Sequence, residues 1–88
     1  MLWSYITLAD ETQIAYSDIK KDGTVEIAVE RPVEMGFDSA RCMLPAGRWF
    51  DIDGFSDDDI AEIDGIVRDN APLIFELAER RSEERAIA

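Results

Sequence analysis

The sequence predicts an α+β fold: an antiparallel β-meander of four to five strands packed against one long C-terminal helix. Three observations carry this. The first fifty residues alternate apolar and polar types and are punctuated by turn residues, the pattern of half-buried strands. From residue 56 onward the spacing changes to threes and fours behind a helix cap. The chain has 88 residues, and at that length folding removes only roughly 60 to 65 per cent of the unfolded surface, enough for one core between two layers. Residues 1–88 therefore read as a single domain, with no repeat, linker or low-complexity segment.

Trp3 to Ala9 is rich in aromatic and β-branched residues and alternates, which suits a first strand. Asp10-Glu11-Thr12 reads as a turn. A second strand runs from Gln13 to Ile19, and Lys20-Lys21-Asp22-Gly23 is a hairpin turn, because glycine supplies the positive φ such turns demand. In the third strand Val25, Ile27 and Val29 alternate with Glu26, Ala28 and Glu30, so one face is buried and one is wet. Pro32 is expected to end it by removing a ladder donor. Glu34-Met35-Gly36 makes the next connection, Phe37 to Leu44 a fourth strand, and Pro45-Ala46-Gly47 its end. Trp49, Phe50 and Ile52 fit a short fifth strand or a helical turn, and periodicity over so few residues does not separate the two.

The helix begins with a specific signal. Ser56 caps the free amides, Asp59 stands at the capping-box position, and Asp57, Asp58 and Asp59 all meet the positive end of the dipole. Phe55 and Ile60 occupy the staple positions. Ile60, Ile63, Val67, Ile74 and Leu77 form an apolar stripe whose phase survives Asn70 and Pro72, which favours one long Pro-kinked helix over residues 57–81. The competing reading makes Asn70 a cap and starts a second helix at Ala71, since an interior proline costs about 3 kcal/mol. The tail, 82–88, is expected to fray.

Charge excludes several functions. The chain holds 20 acidic and 9 basic side chains and no histidine, for a formal net charge of −11 and a pI near 4.2. So acidic a protein repels phosphates and anionic bilayers, and neither direct nucleic-acid binding nor membrane binding is expected. Without histidine there is no Ser-His-Asp or Cys-His catalysis and no His-ligated metal. A lone cysteine, Cys42, excludes an internal disulfide and fits a reducing compartment. Met1 to Ile6 lacks a basic start and a signal-length apolar run, and no stretch approaches the roughly 20 apolar residues of a membrane span, so a cytoplasmic location is expected.

The remaining motifs are weak. Asp51-Ile52-Asp53-Gly54 followed by Asp57-Asp58-Asp59 suggests calcium, but with Gly54 at the sixth loop position the twelfth is Ile60 where a bidentate Glu belongs. A metal site is therefore not expected, and no cofactor is either. Acids at a helix start and on its outer side stay solvated and ionised, so they are poor acid-base catalysts. Cys42 reads as a buried structural thiol. Trp3, Tyr5, Tyr16, Phe37, Trp49 and Phe55 are assigned mainly to the core.

The distribution of charge says more than the total. Eight acids lie between Asp51 and Asp69, and Arg68 is the only base between Trp49 and Glu79. On a helical wheel Asp58, Glu62, Asp69 and Glu76 fall within roughly 40 degrees of one another, opposite the apolar stripe. Like charges at i and i+4 weaken a helix by a few tenths of a kcal/mol each, a cost that suggests a basic partner.

Glu30-Arg31-Pro32, the run Gly36 to Cys42, Leu44-Pro45, Trp49 and Gly54-Phe55-Ser56-Asp57 resemble a group of small acidic proteins of gut Firmicutes and Actinobacteria, often carried on mobile elements. The resemblance covers the middle third of the chain and the helix start, and it brings no activity and no site residues. It implies an accessory or counter-defence role. By size and charge alone the chain is also similar to small acidic inhibitors, anti-CRISPR proteins among them, that occupy basic nucleic-acid channels. The expectation is a non-enzymatic inhibitor presenting Asp51, Asp53, Asp57, Asp58, Glu62, Asp64 and Asp69 to a basic nucleic-acid-binding protein, with a CRISPR effector as the example, its carboxylates standing in for phosphates. The alternative is a small interaction or regulatory module, antitoxin-like or homodimeric, that uses a sheet edge or exposed aromatics.

Overall fold

The computed structural model describes residues 1–87, with side chains through residue 84; of the tail expected to fray, residue 88 lies outside the described residues. Five strands, β1 (Leu2–Thr7), β2 (Gln13–Ser17), β3 (Val25–Val33), β4 (Gly36–Leu44) and β5 (Arg48–Asp53), precede one helix, α1 (Asp57–Ile87). The sheet order is β1-β2-β3-β4-β5 with every neighbouring pair antiparallel, so the α+β meander read from the sequence is the observed fold. Residues 48–53 are a strand and not a helical turn, with Cys42 opposite Trp49 and Arg41 opposite Phe50.

Alternation decides the layers. Ile14 and Tyr16, Val25, Ile27 and Val29, and Ala40, Cys42 and Leu44 turn to one face of the sheet, where Ile63, Val67, Ile74 and Ala78 of α1 meet them in one core. The opposite face carries the row Ser4, Ala15, Ala28, Arg41 and Phe50 across all five strands, and among the described residues no helix covers it.

Two expectations need correction. Pro32 does not end β3, which runs on to Val33 with Pro32 opposite Phe37. Pairing with β2 stops at Glu30, so beyond that residue β3 is an edge strand, where the missing donor is tolerated. The single helix favoured over a second one starting at Ala71 is the one that forms, because α1 is continuous through Pro72. Both Pro72 and Arg68, whose carbonyl loses its i+4 donor, lie on the exposed side, so water solvates the unpaired group, while Asn70 is held from the sheet by the Tyr5 hydroxyl at 2.6 Å. The helix also continues past residue 81. Its late turns are docked: Ile19 N–H donates to Ser82 Oγ at 3.1 Å, Arg81 donates to the Tyr16 hydroxyl at 3.3 Å, and the Arg81 guanidinium lies 5.2 Å from the centre of the Trp3 ring.

Beyond the ends of β2 and β5, residues 31–38 are paired only with each other. β2 ends opposite Glu30, and β5 ends with Asp53 opposite Ser39. Arg31 opposite Asp38, Pro32 opposite Phe37 and Val33 opposite Gly36 thus form a two-stranded arm that overhangs the sheet.

Candidate partner-binding surface

The acidic end of the molecule is organised by local capping and by one base. Ser56 Oγ accepts from Asp59 N–H and the Asp59 carboxylate accepts from Ser56 N–H, both at 3.1 Å, a reciprocal capping box that fixes where α1 leaves β5. The same Asp59 carboxylate lies 3.2 Å from Arg31, which also bonds Asp38 at 2.7 and 3.1 Å and stacks on Phe55 at 4.7 Å. Arg31 therefore joins β3, β4 and the helix start, and Asp10 approaches it at 3.9 Å. The Ser56 amide, the Arg31 guanidinium and the Ser56 hydroxyl hold the Asp59 carboxyl below the usual range.

Of the residues predicted to form the site, the structure does not bring all seven to one surface. Asp58, Glu62 and Asp69 point outward from α1, Asp57 is exposed at its first turn, and none of them has a hydrogen-bond or ion-pair partner among the described residues. Asp51 and Asp53 are likewise exposed and unpaired, but they stand on β5. Asp51, at φ 51° beside a register shift between Ser39 and Arg41, lines a groove of about 290 Å³ with Leu2, Ala28, Glu30, Ser39 and Arg41 on the uncovered face. Asp64 differs from the rest, because Trp49 Nε1–H donates to it at 2.9 Å and Arg68 pairs with it at 2.7 Å. Burial pushes its carboxyl up, yet these two donors outweigh that and leave it lowered. Its oxygens hold β5 to α1. Glu76, which shares the wheel sector, is neutralised by Arg80 at 2.8 Å.

The acids consequently wrap the end of the molecule where β5 passes into α1. A second cleft, of about 40 Å³ between Leu8, Asp10, Arg31, Asp59, Glu62 and Ile63, has room for little more than a water. Cys42 is fully buried, and burial first, then the Asp64 charge, push its thiol up to about 11. Among the described residues, no group of three or more acids or cysteines is placed to hold a metal ion, and no helix is long and apolar enough to cross a membrane.

Two features escaped the sequence reading. The role of Arg31 is one, because a base flanked in space by Asp10, Asp38 and Asp59 needs the fold to be recognised. Phe37, expected in the core, is 62 per cent exposed on the arm near a wholly exposed Met35, and Val33, also exposed, lies on the arm's other face, opposite Gly36. Its signal was available: a turn of Val33-Glu34-Met35-Gly36-Phe37 is more apolar than a solvent-facing turn needs to be. Compared with family models, curated proteins and solved structures, the chain matches none.

Proposed function

We propose that the protein is a non-enzymatic acidic inhibitor that binds a basic nucleic-acid-binding protein, of which a CRISPR effector is the leading example, with carboxylates taking the place of phosphates. The observation that carries this reading is the contrast between neutralised and bare acids. Asp59, Asp64 and Glu76 each have a base at hand, whereas Asp51, Asp53, Asp57, Asp58, Glu62 and Asp69 have none among the described residues. Bare carboxylates at a helix start and along its outer face suit arginine forks, which bind carboxylate and phosphate with the same geometry.

The test is inhibition and displacement. Purified nucleic-acid-binding proteins, a Cas9-type effector among them, are mixed with labelled duplex DNA and the chain at low and high salt. The chain is expected to displace DNA at low salt and to lose that ability as salt rises. The combined variant Asp58→Lys, Glu62→Lys, Asp69→Lys is expected to stay folded and lose displacement. If it inhibits as well as the parent, the reading is wrong.

A further inference from the structure

Resting on that reading, we propose that the β3–β4 arm is an apolar anchor, which seats Met35 and Phe37 in a pocket of the partner protein whose rim is basic. Charge alone falls short. Asp58, Glu62 and Asp69 place three bare charges over roughly 16 Å of helix, at about 1.5 Å per residue. Duplex DNA offers one charge per roughly 1.7 Å, so a purely electrostatic competitor with this spacing is outmatched. An inhibitor with so few charges needs a contact that nucleic acid does not make.

The arm has the properties of such a contact. Met35 is 100 per cent and Phe37 62 per cent exposed, and among the described residues no other strand or helix pairs with the tip. Its base is held by Arg31 through Asp38 and Asp59 and by the ring of Phe55, so the tip is presented in one orientation and little ordering cost falls on binding.

The surrounding charge identifies the occupant. Glu30 and Glu34 lie on the arm and its root, Asp53 ends β5 opposite Ser39 at that root, and Asp57 and Asp58 open the helix that reaches Arg31 through Asp59. A second copy would bring the same acids against themselves, and an anionic bilayer or a nucleic acid would be repelled. A protein pocket ringed by lysine and arginine is attracted by the rim and filled by the tip.

Affinity for the panel protein that the chain displaces from DNA is measured at several salt concentrations for the parent, for Met35→Ser with Phe37→Ser, and for Asp58→Lys with Glu62→Lys. The arm variant, whose thermal transition serves as the folding control, is expected to bind at least roughly thirtyfold more weakly with an unchanged salt slope, and the charge variant to flatten the slope. Undiminished binding by the arm variant overturns the anchor and leaves the acidic-inhibitor reading standing. Absence of any panel protein that the chain displaces removes both. A parent that is dimeric by light scattering and becomes monomeric in the arm variant, or a parent that pellets with phosphatidylcholine vesicles through the arm, overturns the anchor in favour of those occupants.

Discussion

Replacing Gly54 with alanine tests whether the root of the arm is as rigid as its contacts imply. Gly54 joins β5 to the helix cap at φ +94°, and a Cβ there would run into the Asp38 carboxylate, with Cγ at 2.7 Å and Cβ at 3.2 Å. Asp38 has little freedom to yield, because Arg31 holds it with two bonds. Two costs add: about 1–2 kcal/mol for a side chain in left-handed backbone, and about 1–3 kcal/mol for forcing an atom into occupied space. Gly23, at φ +83° with nothing within 4 Å, carries the first cost without the second. Gly65, within α1 and equally open, carries neither, and there alanine is expected to stabilise by up to about 1 kcal/mol. Urea unfolding of the three single variants should therefore rank Gly65→Ala above the parent, Gly23→Ala about 1–2 kcal/mol below it and Gly54→Ala about 2–5 kcal/mol below it. At this chain length each kcal/mol moves the melting temperature by roughly 4–8 °C, so the differences are resolvable. Combining Gly54→Ala with Asp38→Ala should recover part of the loss, since the two sites are in contact and do not add. Gly54→Ala indistinguishable from Gly23→Ala would refute the reasoning, because Asp38 would then be free to move and the arm would not be fixed at its root.

Two further outcomes follow from the buried and capped groups. With the Cys42 thiol pushed up to about 11, roughly a thousandth of it is thiolate at pH 8, so iodoacetamide should label it only as fast as the chain opens, with a steep increase in urea; rapid labelling of the native protein contradicts its burial. The carboxyls of Asp10, Asp59 and Asp64 are held below the ordinary aspartate value of 3.8. The stability they add is complete above that value and is lost as pH falls through their lowered folded-state values, so melting temperature should drop below about pH 4. Asp59→Asn should make that acid limb shallower, and an unchanged limb would show that the capping box and Arg31 do not set it.

The meander was legible because period-two alternation and turn residues are local signals, and they placed Val25, Ile27, Val29 and the Gly23 turn without help from the rest of the chain. The capping box was legible for the same reason: Ser56 and Asp59 are three residues apart. What stayed hidden depends on long-range pairing. Pro32 looks like a strand end until β2 is known to stop at Glu30. Ser82 looks like a fraying tail until Ile19 is found beside it. Asp64 looks like one more exposed acid, yet the fold brings the Trp49 indole and Arg68 to its oxygens. Sequence reports that acids are concentrated at one stretch; only the fold reports which of them are already satisfied.

That distinction changes what a charge of −11 implies. A carboxylate already bonded to an indole or guanidinium has part of its charge and acceptor capacity taken up, so Asp59, Asp64 and Glu76 contribute to the fold and to the surrounding potential but offer weaker close contacts than the bare acids. The bare acids are fewer, and the turn from β5 into α1 divides them between the strand and the helix. Long-range attraction suffers little from such a division, because within about a Debye length the partner senses their sum. Close contact suffers more, because Asp51 stands on β5 and Asp69 on α1. On the proposed reading, charge in this molecule is therefore better suited to steering a basic partner than to holding it, and the proposed Met35–Phe37 anchor is what would hold it.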